Sequence, residues 1–169
     1  MEISTLRNQI SHNKNGYTLI EILVTLTIVA LLFGFGYASF RDFSRRQALS
    51  NAVSAVQGDL RIAQGDAATG QKPADHSCDF PKTLDGYNFR IVTTSPARYV
   101  IEAVCGVIKT TVKDVTLDSS LTLSNPGPLR FKVIDQGTTA GGSDWVLTIT
   151  QAGTSNTATI TVSTGGNIQ

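Results

Sequence analysis

The stretch from Lys14 to Phe40 reads KNGYTLIEILVTLTIVALLFGFGYASF, and after its first residue it carries one formal charge, Glu21. As a helix rising about 1.5 Å per residue, Tyr17 to Phe40 extends roughly 36 Å, against a bilayer hydrocarbon core of about 30 Å. The run therefore predicts a membrane-crossing segment. A carboxylate inside such a segment costs on the order of 2.5–3.5 kcal/mol on insertion scales. Glu21, about one turn in, needs a partner or a function.

Residues 1–16 are polar and mixed, without periodicity, and read as a processed leader outside the fold. No proline follows Thr18 until Pro73, so one helix can continue well beyond the apolar run. Gly34 and Gly36 are the internal glycines before Gly58. Each weakens a helix by about 1 kcal/mol relative to Ala, which makes Phe33 to Tyr37 its expected soft point, with close helix packing through small residues as the alternative. Past Arg46 the apolar positions Leu49, Val53, Val56, Leu60, Ala63 and Ala67 are spaced four, three, four, three and four. That is one helical face, built to lie on a sheet. Asp59 falls among the residues assigned to the other faces. Gly65, Gly70 and Pro73 stop the helix, with its end expected near Ala68.

Beyond Pro73 the period changes from helical to alternating. Tyr87, Phe89 and Ile91, then Tyr99, Ile101 and Ala103, then Val107 to Val115 predict three strands, with Ser95 to Ala97 and Gly106 as turns. Leu121 to Leu123, Leu129 to Ile134, Trp145 to Ile149 and Thr157 to Val162 are further candidates. The fold class is α+β: a long N-terminal helix, membrane-spanning over 17–40 and amphipathic over 41–72, packed on an antiparallel β-sheet or small sandwich in residues 73–169.

Gly16 followed by Tyr17, Thr18, Leu19, Ile20 and Glu21, behind a short leader with Lys14 and ahead of an apolar run, resembles the signal of type IV pilins and type II secretion pseudopilins. The resemblance implies cleavage after Gly16, N-methylation of Tyr17, and an assembly role for Glu21, the fifth mature residue. Tyr17 is an aromatic exchange for the Phe usual at the first mature position. The implied partners are prepilin peptidase, an inner-membrane assembly platform, membrane lipid and other pilin or pseudopilin subunits. The implied location is the cytoplasmic membrane, single-pass with an exported domain, and then a pilus or pseudopilus filament. Leu60 to Ala67, Phe131 to Gly137 and Ile160 to Gly166 are similar, more weakly, to the minor pseudopilin H branch. That branch favours a minor subunit. A major pilin, or an anchored adhesive domain, is the alternative.

Basic residues near the run number two before it, Arg7 and Lys14, and three after it, Arg41, Arg45 and Arg46. A bare positive-inside count thus leans towards an internal C-terminus. The resemblance places the domain outside, and we follow it because the two cysteines suit an oxidising compartment. There Cys78 and Cys105 favour a disulfide, with two buried thiols as the other option. An ordinary secretory cleavage at Gly36, Tyr37 and Ala38 would discard Glu21 and leave the Gly16 motif without meaning.

The 169-residue chain has a net charge of +1, and losing Glu2, Arg7 and Lys14 with the leader leaves 12 basic and 12 acidic residues. No global field recommends nucleic acid, and the C-terminus from Thr164 to Gln169 carries no arginine. His76 lies between Asp75 and Ser77 and reads as a solvated loop residue. Asp135 with Asp144, or Asp114 with Asp118, lacks the dense oxygen ligands of a calcium loop. Gly137 to Gly142 lacks the ending of a phosphate loop. Arg41, Arg45 and Arg46 suit lipid headgroups or a neighbouring subunit. No catalytic residue, cofactor or metal is expected, and an enzyme is not indicated.

Overall fold

The computed structural model describes residues 16–134, 137–140 and 142–169, without the side chains at 35, 36, 38 and 39. Except for Gly16, the expected leader lies outside the described residues, and so does Asp135. The chain divides into two units, Met1–Arg41 and Asp42–Gln169, each taken by itself below.

Helix α1 covers Leu19–Thr69 and carries through the expected soft point, since residues 33–37 are helical. Its end is set by Gly70 at φ 65°. The Gly70 amide donates to the Ala67 carbonyl at 3.1 Å and the Gln71 amide to Asp66 at 2.9 Å. That pair of bonds is the glycine-terminated C-cap that satisfies two orphan carbonyls.

In the second unit, α1 buries Leu49, Ala52, Val56, Leu60, Ala63 and Ala67. Ala52 replaces the expected Val53, which is half-buried at the margin of the stripe. Asp59 corrects the expected pattern outright, being only 5% exposed. It sits three residues after Val56 and four before Ala63, so helical spacing puts it on the buried face. Its polarity alone had assigned it elsewhere.

Seven antiparallel strands form two sheets beneath this face. Strands β1 (Gly86–Thr94), β2 (Ala97–Cys105), β3 (Ile108–Thr116) and β5 (Leu129–Lys132) give the order β3-β2-β1-β5. Strands β4 (Leu121–Leu123), β6 (Trp145–Gln151) and β7 (Thr157–Val162) give β4-β6-β7. Both sheets and the helix share one core. Within it, Phe89 of β1 stacks on Tyr99 of β2 at 4.9 Å and meets Trp145 of β6 edge-on at 5.7 Å. The sheets are also joined where the Thr138 amide donates to the Thr164 carbonyl at 3.1 Å.

Two backbone features shape the first sheet. Gly86 has φ 147°, and a Cβ there would collide with the Phe131 carbonyl, so only glycine lets β5 close on β1. Strand β5 stops at Lys132, two residues short of expectation, because Ile134 turns to φ 55° and donates its amide to the Ala67 carbonyl at 3.3 Å. On the opposite edge, Glu102 pairs with Thr111 but Ile101 with Lys113, leaving Val112 as an extra residue in β3. A bulge of this kind reverses the faces of the residues beyond it. Lys113 and Val115 therefore turn to the side of Ile101 and Tyr99, towards α1.

Candidate functional site

The residues singled out by the sequence sit at the start of α1. Thr18 is the N-cap: its carbonyl accepts the Ile22 amide at 3.2 Å and its hydroxyl the Glu21 amide at 3.3 Å. Thr18 and Glu21 thus form the Thr-x-x-Glu pattern of a capping box. The sequence reading missed this structural role, although the spacing was legible. A first-turn carboxylate also meets the positive end of the helix dipole. Gly16 and Tyr17 precede the cap, and Tyr17 is 78% exposed. A Cβ at Gly16 would meet nothing within 4 Å, so the backbone there is open to approach.

Beyond the cap the helix is apolar on every side. Leu19, Ile20, Leu23, Leu26, Leu31, Leu32 and Phe33 are all exposed within their unit, as are Ile22, Val24, Ile28 and Val29. The two threonines in this run satisfy themselves. Thr25 donates to the Ile22 carbonyl at 2.9 Å and Thr27 to Val24 at 2.8 Å, so neither hydroxyl needs water. Glu21 is the one charged residue between Tyr17 and Phe40, and it has no side-chain partner among the described residues.

Residues 11–37 match the prokaryotic N-terminal methylation motif. That match covers Gly16, Tyr17, Glu21 and most of the apolar run, and stops before the globular unit. No curated protein and no solved structure matches the chain. Among the described residues no helix is long and apolar enough to cross a membrane. The membrane-crossing segment expected from the apolar run, 17–40, includes positions 35, 36, 38 and 39, whose side chains are not described.

The globular unit contains the disulfide. Cys78 and Cys105 are bonded across a sequence separation of 27, with Cα atoms 5.5 Å apart and both residues buried. Of the expected surface groups, His76 Nδ1 lies 2.9 Å from Asp79 Oδ2, both exposed. Asp114 pairs with Arg98, whose Nε donates to Oδ1 at 2.8 Å, and Asp118 accepts the Ser120 amide at 2.8 Å. The two carboxylates are engaged separately. Among the described residues no cluster of three His, Cys, Asp or Glu side chains is placed to hold a metal ion. Arg41 stacks over the Tyr37 ring at 5.9 Å.

Two polar residues that carry the packing escaped the sequence reading. Asp59 accepts the Tyr99 hydroxyl at 2.8 Å and the Lys113 ammonium at 2.6 Å. Buried Gln151 donates to the Arg45 carbonyl at 2.8 Å, fastening β6 to the helix. Burial, followed by the Asp59 carboxylate beside it, pushes the Tyr99 phenol well above its ordinary value.

Proposed function

We propose that the chain is a minor pilin or pseudopilin, a structural subunit of a type IV pilus or type II secretion pseudopilus. One observation carries this most directly: the first turns of α1 expose apolar side chains all round, with Glu21 set at the fifth position after Gly16. A helix of that composition is stable in water only when something apolar covers it. Lipid covers it in the cytoplasmic membrane, with the β-rich unit outside, and the helices of other subunits cover it in the filament. Prepilin peptidase cuts after Gly16, and Tyr17 becomes the methylated terminus. The assembly platform then lifts the subunit out of the bilayer. The Glu21 carboxylate pairs there with the new Tyr17 amine of a neighbour, since cleavage creates a positive charge about one helical turn away along the chain.

Terminal mass spectrometry on protein from cells that contain the peptidase tests this function. A mature chain starting at methylated Tyr17 is expected. An intact Met1 terminus, or one at Ser39, overturns it.

A further inference from the structure

In the globular unit, helix α1 and the turn between β6 and β7 enclose a groove of about 630 Å³, within the roughly 300–1,000 Å³ of binding clefts. Arg46, Ser50 and Ser54 line it from the helix, and Ser155, Asn156 and Thr157 from the turn. Ser50 and Ser54 are four residues apart and so share one helical face. Val53 and Ala158, both half-buried, add a small apolar surface between these polar groups. The two walls are fixed to each other through buried Gln151. Its side-chain amide donates to the Arg45 carbonyl of the helix at 2.8 Å, and its main-chain amide donates to the Asn156 carbonyl of the turn at 3.0 Å.

The lining holds one formal charge, the Arg46 guanidinium, and no carboxylate. Arg46 has no ion-pair partner among the described residues. An ammonium group would find no counter-charge here, whereas a phosphate would find a planar fork of donors. The hydroxyls of the four serine and threonine residues and the Asn156 amide suit a ligand that itself carries hydroxyls. The chain also limits where the groove can be. Arg46 follows Phe40, the last residue of the apolar run, by six positions, so whatever course the chain takes between them it lies within about 21 Å of that residue. A bilayer that holds residues 17–40 therefore presents its headgroup layer, roughly 5–8 Å deep on each side, at this end of the globular unit.

We propose that this groove binds the headgroup of an anionic phospholipid of the phosphatidylglycerol type, with the phosphate on Arg46 and the glycerol hydroxyls on the serine, threonine and asparagine side chains. The site rests on the membrane-held state of the function proposed above. Charge selects the ligand: a phosphatidylethanolamine or phosphatidylcholine headgroup brings an ammonium into a lining without a carboxylate, and a glycerol headgroup does not. A bound headgroup ties the globular unit to the bilayer at a second point besides the apolar helix, and it is given up when the subunit leaves for the filament.

The test follows the backbone amide signals of the full-length chain by NMR in bicelles of phosphatidylcholine, alone or partly replaced by phosphatidylglycerol. Phosphatidylglycerol should shift the amides of Ser50, Ser54 and residues 155–157 and leave the loop from Asp75 to Asp85 unmoved. Arg46→Gln should raise the phosphatidylglycerol content needed for half of that shift about tenfold, and Arg46→Lys, which keeps the charge without the fork, should fall between the two. A chain held by the bicelles whose groove amides do not respond, or respond no more than the Asp75 to Asp85 loop, overturns the site and leaves membrane anchoring standing. Failure of the chain to enter bicelles of either composition overturns the membrane-held state itself, and the site with it. Glycerol phosphate added to the chain in lipid-free detergent is the remaining arm: equal shifts at the same concentration would assign the groove to a soluble phosphate and overturn the lipid.

Discussion

Lys113 on β3 donates to Asp59 on α1 at 2.6 Å, although the two are 54 positions apart and neither was placed on a buried face by its polarity. The extra residue Val112 makes this possible, because without it Lys113 would lie on the far side of the sheet from the helix. Asp59 also accepts the buried Tyr99 hydroxyl, so one carboxylate joins the helix to two strands.

This arrangement predicts an asymmetry among substitutions. Asp59→Ala strands the Tyr99 hydroxyl in the core and should cost about 2–3 kcal/mol, whereas Tyr99→Phe should cost about 1 kcal/mol. Lys113→Met leaves the buried Asp59 carboxylate without its counter-charge and should cost more than Tyr99→Phe. The double variant Asp59→Ala with Tyr99→Phe should be more stable than the sum of its parts, because it removes both partners together. Denaturant unfolding of the four variants checks this. Strict additivity would show that the bond between Asp59 and Tyr99 has no energetic weight.

Breaking the disulfide should lower the melting temperature. Its closed loop corresponds to roughly 3–4 kcal/mol in the chain-entropy model. Because Cys78 and Cys105 are 1% and 2% exposed, reductant should act slowly on the folded protein. Calorimetry on Cys78→Ala with Cys105→Ala gives the thermodynamic value directly. An unchanged transition would contradict the assignment of the bond as a staple.

The Arg98 guanidinium, through its hydrogen bonds, holds the Asp114 carboxyl below the usual carboxylate range. With the folded value below the unfolded reference of about 3.9, any stabilisation is present above that pH and is lost as pH falls through the folded value. The pair is solvent-exposed, so its effect on stability should be small. NMR titration should place the Asp114 midpoint below that of an ordinary aspartate, and Arg98→Gln should move it upward. A midpoint indifferent to Arg98→Gln would mean that the pair does not persist in solution.

Glu21 combines a helix-capping position with a charge, and two substitutions separate them. Gln also serves at the third helical position of a capping box, so Glu21→Gln keeps the helix start and removes only the charge. Incorporation into filaments should fall while membrane insertion and the fold of the globular unit are kept. Thr18→Ala removes the cap at a cost of about 1 kcal/mol and should leave incorporation near normal. Recovery of each variant from sheared filaments provides the measurement. Equal losses would make capping the whole purpose of the pattern.

Much of this architecture was legible in the sequence. The Gly16 to Glu21 motif, the proline-free course of α1, the four-three spacing from Leu49 to Ala67 and the limits of β4 and β7 are local patterns, set by backbone propensity and side-chain period. They need no knowledge of what lies across the core. What escaped the sequence depends on partners distant along the chain. Asp59 is buried because Tyr99 and Lys113 satisfy it, Gln151 because the Arg45 carbonyl does, and Gly86 is required because β5 closes on it. A polar side chain enters a core only when a particular hydrogen bond offsets its desolvation, and that bond exists only once the tertiary structure has brought its two ends together. Strand order has the same origin: each strand's alternation shows that it has an inner face, while its neighbours are chosen by how the seven inner faces fill a single core.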